Sequence, residues 1–187
     1  MANSALLVMD VQRHMVDVAD DGSGYLPRLR RAIDGARAAG IPVIYVVIGW
    51  RPGHPDVSTR NRPLTTAVRA GLFTEGDSGT EIHHDVTPQP DDIVVTKRRG
   101  SAFSGSDLDL VLRARGIDRL VLTGIATSGV VLYTLCQATD LDFDLTVLAD
   151  ACLDTDAEVH RVLTEKLFPQ WADVVAVEDW LEAVAPR

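Results

Sequence analysis

Leu120-Val121-Leu122-Thr123-Gly124-Ile125-Ala126-Thr127 reads as a short buried strand that stops at a glycine and runs into a helix. Leu120–Thr123 is almost wholly apolar, which suits a strand of a parallel sheet covered on both faces. A helix must fill the stretch from Thr127 to Leu141. Its early β-branched residues lower helix propensity, so burial has to hold it.

The same alternation continues in both directions. Upstream lie strand candidates Ala5–Met9, Val43–Ile48 and Ile93–Thr96; downstream lie Leu145–Leu148 and Val174–Val177. Between them run helical stripes. Leu26, Leu29, Ile33 and Ala36 form one, closed by Gly40, and Val159, Val162, Leu163 and Leu167 form another. Ser106 and Asp109 have capping-box spacing, and Gly116 stops the helix they open. Strand–helix–strand alternation with right-handed crossovers predicts an α/β fold. The expected form is a three-layer αβα arrangement around a six-stranded, mainly parallel, Rossmann-like sheet. The irregular stretch from Gly49 to Asp92 has room for one or two short helices and has the length of a lid or binding loop.

The chain has 187 residues, which fits one domain over 1–187. Its 27 Asp and Glu against 18 Lys and Arg give a net charge of -9. Such a surface repels phosphate backbones and anionic membranes, so neither nucleic acid nor membrane is expected as a partner. Cys136 and Cys152 make no disulfide framework and no CxxC pattern. The start Met-Ala-Asn-Ser with a short apolar run lacks the form of a signal peptide, and a cytoplasmic location is the default expectation.

In open parallel sheets ligands bind beyond the carboxyl ends of the strands. Asp10, Lys97, Gly124 and Asp150 are placed there by the strand assignments. An Asp at the end of an apolar strand is partly desolvated, which raises its pKa, whereas a neighbouring ammonium lowers it. An Asp10–Lys97 pair is therefore a proton-transfer unit, or else a loop-capping Asp beside an exposed Lys. No Gly-x-Gly-x-x-Gly, phosphate-cradling loop, Gly-x-Ser-x-Gly elbow or His-Glu-x-x-His occurs. Adjacent His83 and His84 suit a solvated loop better than one shared ion, so no metal and no cofactor are expected.

Three segments in order resemble the isochorismatase-like, or cysteine hydrolase, superfamily. They are Leu7-Val8-Met9-Asp10-Val11-Gln12, Thr96-Lys97-Arg98-Arg99-Gly100-Ser101-Ala102-Phe103 with the capped helix after it, and Leu120 to Thr127. The resemblance implies that Asp10 and Lys97 are catalytic, and that a cis peptide joins Ile125 and Ala126. It also implies a substrate pocket shaped by Gln12, Phe103 and the backbone of Gly124, Ile125, Ala126, Thr127 and Ser128. His14, Val130 and Tyr133 are further lining candidates.

The family's nucleophile stands six positions after the strand-four glycine, and here that position is Val130. Cys136 lies about 9 Å further along the helix and about 240° around it, so it does not replace the missing thiol. Isochorismatases proper also lack the thiol: their Asp protonates a vinyl ether and water attacks the resulting cation. The resemblance thus implies a hydrolase of a small organic molecule that uses the Asp10–Lys97 pair without a cysteine, cleaving a vinyl ether or a C–N bond. Two other readings stand beside it. One is a non-catalytic small-molecule binder or oligomer subunit. The other is an amidase with Ser128 as nucleophile, although capping the helix is the ordinary role of such a serine. Family members form dimers or tetramers, so a homo-oligomer is expected, with Trp171 or Trp180 either at an interface or packed on the core.

Overall fold

The computed structural model describes residues 3–19 and 22–185. Six strands alternate with helices along the chain. The strands are β1 Ser4–Met9, β2 Val43–Ile48, β3 Ile93–Lys97, β4 Arg119–Ile125, β5 Asp144–Leu153 and β6 Asp173–Val175. The α-helices are α1 Arg13–Ala19, α2 Tyr25–Ala38, α3 Arg62–Arg69, α4 Leu108–Ala114, α5 Leu132–Asp140, α6 Ala157–Val162 and α7 Val177–Val184. The sheet order is β3-β2-β1-β4-β5-β6 and every pairing is parallel. β1 and β4 are the central strands, so both of their faces are covered, as their unbroken apolar runs require.

Alternation along β1 divides the core in two. Leu6 and Val8 join the stripe of α2, including Leu29, Ile33 and Ala36, with Trp180 of α7. Ala5, Leu7 and Met9 join Leu108 and Leu112 of α4, Leu135 and Ala138 of α5, and Leu163 and Phe168. This is the three-layer αβα arrangement. Trp180 is buried on the core, whereas Trp171 is exposed.

Three local expectations change. β5 extends past Leu148 to Leu153, so Asp150 lies inside the strand rather than at its end. Its carboxylate accepts from Val177 N at 2.8 Å and so caps α7. That contact makes Val177 the first residue of a helix instead of the last of β6. Ser106 does not form a capping box, because its hydroxyl donates to Ala102 O at 2.6 Å while Asp109 pairs with Arg113 at 2.8 Å. Within 49–92 the chain forms α3 and two single-turn helices, Ser78–Thr80 and His84–Val86. A bridge Trp50–Thr74 closes the segment on itself, and a bridge Gln12–Ile82 ties it to the turn after β1. No helix among the described residues is long and apolar enough to cross a membrane.

Candidate active site

Asp10 follows Met9 at the C-terminal end of β1, with φ at +54°. Aspartate tolerates this left-handed region better than most residues. The turn is anchored by Asp10 N donating to Val46 O at 2.7 Å. Lys97 is the last residue of β3 and lies in register with Ile48 of β2. β2 separates the two strands, and the long lysine side chain spans it. Nζ lies 2.9 Å from Asp10 Oδ2 and donates to Arg99 O at 2.8 Å.

Lys97 is 1% exposed and Asp10 6%. Burial pushes the Asp10 pKa up and the Lys97 charge pulls it down, with burial the larger effect, so the carboxyl sits above its ordinary range. The opposition between these two effects, open from the sequence, is decided by the depth of the site. Asp10 Oδ1 is buried and makes no hydrogen bond. One oxygen is thus held by the ammonium, and the other has no hydrogen-bond partner.

The neighbouring wall comes from β4. Gly124 pairs with Met9 in the sheet and has φ at +142°. A Cβ on Gly124 would lie 2.2 Å from the Met9 carbonyl oxygen, directly before Asp10. Gly124→Ala is expected to cost at least about 1–3 kcal/mol, the usual cost of overpacking, and urea denaturation would measure it. The Ile125–Ala126 peptide is cis. A wide helical turn, Thr127–Val131, then leads into α5.

Two residues that the sequence reading missed hold this turn. His160 Nδ1 shares a hydrogen bond with Thr127 Oγ1 at 2.8 Å, and Asp154 Oδ2 accepts from Ser128 N at 2.7 Å. Burial lowers the His160 pKa, against the raising effect of Asp154. Their one sequence signal is the acidic segment that begins as β5 ends. Ser128 makes no side-chain capping bond; Asp154 takes that part from across the fold.

The remaining expected site residues divide clearly. Val130 is 3% exposed and belongs to the same apolar cluster as Met9, Ala102 and Phe103. Gln12 is fully buried. Its Oε1 accepts from Ile48 N at 3.0 Å, and its Nε2 donates to Ile48 O at 2.9 Å and Thr80 O at 2.8 Å. With both amide protons used inside the protein, Gln12 braces the end of β2 against the 49–92 segment. Thr127 is also wholly buried, with its hydroxyl committed to His160. His14 packs edge-on to Phe73 with ring centroids 6.4 Å apart. Tyr133 is 56% exposed and, with Cys136, lines an outer cavity of about 500 Å³.

Neither thiol enters the pair. Cys152 is buried and pushed up to about 12 by burial, which makes it inert as a nucleophile. Cys136 is exposed on α5. A second cavity of about 330 Å³ opens among Ser4, Arg119, Asp144 and Asp173, where strands begin, so it lies at the opposite sheet edge from Asp10. His83, His84 and Asp85 offer ligand atoms within 4.8 Å of one another and could hold a metal ion at the surface.

Sheet and pair together define an α/β protein with a buried Asp–Lys ion pair at the C-terminal ends of its strands. The family model described as "Isochorismatase domain" matches residues 4–179, and the chain belongs to that family and is a hydrolase. It is 35% identical to a ureidoacrylate amidohydrolase of Variovorax paradoxus, over 99% of this chain and 82% of the relative. Among solved structures it resembles a putative isochorismatase from Burkholderia xenovorans, with TM-score 0.81, 31% identity and 98% and 88% of the two chains covered. A cysteine hydrolase from Pseudomonas syringae pv. phaseolicola shares the fold with TM-score 0.87 at 24% identity, over 97% and 92% of the chains.

Proposed function

We propose that residues 1–187 form one cysteine-independent hydrolase domain that cleaves a C–N bond in a small organic molecule, with Asp10 as acid and base and Lys97 as its orienting cation. One observation carries the reading. A carboxyl whose pKa is raised by burial keeps one oxygen on Lys97 and the other, Oδ1, without a partner. Water would add to the substrate carbonyl carbon and release its proton to Asp10. Asp10 would then hand that proton to the leaving nitrogen as the C–N bond breaks. A carboxyl whose proton affinity is raised by burial takes up the proton more readily than an exposed one, and a neighbouring group that accepts and returns a proton serves both halves of this exchange. Lys97 would stabilise the ionised form between them.

The name of the ureidoacrylate amidohydrolase relative favours a ureido or amide bond over the vinyl ether of isochorismatases. In the vinyl-ether version Asp10 would instead enter protonated and give its proton to the substrate, and water would capture the cation. Val130, in the nucleophile position, would serve as apolar floor and help to desolvate Asp10. Phe103 and the Gly124–Ser128 backbone would shape the pocket. Gln12 and Thr127 enter as braces and Tyr133 as an outer wall. The reading also includes a cytoplasmic homo-oligomer, in keeping with the two free thiols and the family.

The test is a turnover panel of ureido acids, amides, imides and vinyl ethers in ¹⁸O-water, with intact-protein mass spectrometry during turnover. Label in the product and an unmodified enzyme are expected. An adduct on Ser128 would replace this mechanism with a serine nucleophile. Absence of turnover across the panel would favour the non-catalytic binder, a reading that rests on Val130 in the nucleophile position beside an intact Asp10–Lys97 pair.

A further inference from the structure

Arg99 stands two residues beyond Lys97, and its own carbonyl accepts from Lys97 Nζ. Four arginines are half-buried among the described residues: Arg28, Arg37, Arg98 and Arg99. The first three have carboxylate partners, in Asp150, Asp92 and Glu75 respectively. Arg99 has none among the described residues, although the chain carries 27 acidic side chains. Its one hydrogen bond there runs from Nη1 to Arg98 O at 2.7 Å, which leaves most of a five-donor fork unused. Withdrawing a guanidinium partly from water without a counter-charge is costly, and a ligand anion would offset that cost.

The surroundings are built for such an anion. Arg99 lines the outer cavity of about 500 Å³, a size that suits a small ligand. Asn61, Ser101, Tyr133 and Gln137 line it as well. The Asn61 oxygen is used by Leu64 N and the Gln137 oxygen by the Ser104 hydroxyl, so both amides have N–H groups to offer. Asp140 is the one carboxylate among the lining residues, and it is exposed. The loop is rigidly held, because Arg98 N donates to Ser104 O at 3.1 Å and Lys97 fixes the Arg99 carbonyl.

We propose that this cavity binds a small organic carboxylate, with the Arg99 guanidinium as its anion-recognising group. The site stands on its own donors and does not depend on the chemistry assigned to Asp10. Its ligand would be either the acid group of a substrate or a separate carboxylate effector.

Binding of 3-ureidopropionate and of its neutral amide, 3-ureidopropionamide, is measured by calorimetry on the wild type, Arg99→Gln and Arg99→Lys. The wild type is expected to prefer the acid by about tenfold or more, and Arg99→Gln to lose about tenfold to a hundredfold for the acid alone. Arg99→Lys keeps the charge but not the fork and should fall between them. Equal affinity for acid and amide, no detectable binding of the acid, or unchanged acid binding in a folded Arg99→Gln protein overturns the proposal. Asp10→Asn serves as a control that separates this site from the hydrolase reading, since acid binding should persist there. With any amide the enzyme turns over, a KM rise in Arg99→Gln confined to carboxylate substrates marks the substrate's own acid group. Loss of a response to added 3-ureidopropionate marks an effector.

Discussion

Asp10→Asn is expected to lower turnover by about 10²–10⁴-fold, the range over which a positioned proton-transfer group contributes. Asparagine has nearly the same shape and still offers an oxygen to Lys97, so circular dichroism should report a folded protein. It cannot deliver or take the proton. The same variant tests the electrostatics through pH. The Asp10 pKa is raised above 3.8 in the fold, so the folded protein holds this proton where the unfolded chain has lost it. Stability from this group is full below 3.8 and is lost as pH rises through the folded value. Asparagine does not titrate. The stability of Asp10→Asn relative to wild type should therefore improve as pH climbs above about 4, as read from urea midpoints. A variant with undiminished turnover would remove Asp10 from the chemistry.

Lys97→Met should have the largest effect on stability. It leaves the Asp10 carboxylate buried without its ammonium, and breaking a buried ion pair from one side costs about 3–5 kcal/mol. The full cost appears only where Asp10 stays ionised. With Lys97 gone, the lowering influence on Asp10 is gone too, and its pKa climbs further. The carboxyl then escapes the penalty by keeping its proton at acid pH. Lys97→Met should thus be close to wild type near pH 4 and increasingly destabilised toward pH 8. The double variant Asp10→Asn/Lys97→Met removes the stranded charge and should recover part of the loss at pH 8. A double-mutant cycle in urea measures this coupling. A cycle without coupling would mean that the 2.9 Å contact carries no energy.

The sheet was legible because β1, β2 and β4 are buried on both faces and therefore almost continuously apolar. β5 was read short because Asp150 interrupts the apolar run, although pairing with β4 continues to Leu153. Asp10 and Lys97 were legible as strand-end polar residues and through their motifs. His160 and Asp154 were not, since nothing local says that a histidine on α6 will meet a threonine 33 residues earlier. The roles of Gln12 and Tyr133 were equally hidden. A buried amide that braces the backbone and one that contacts substrate look identical in sequence.

Local patterns were enough for the layer architecture and for placing Asp10 and Lys97 at strand ends, because periodicity and residue identity are local properties. Tertiary structure alone decided that burial outweighs Lys97 in setting the proton affinity of Asp10, and that Arg99 is the half-buried arginine without a carboxylate partner among the described residues. Both follow from desolvation and from distances between strands and loops far apart in the chain, which no local pattern encodes.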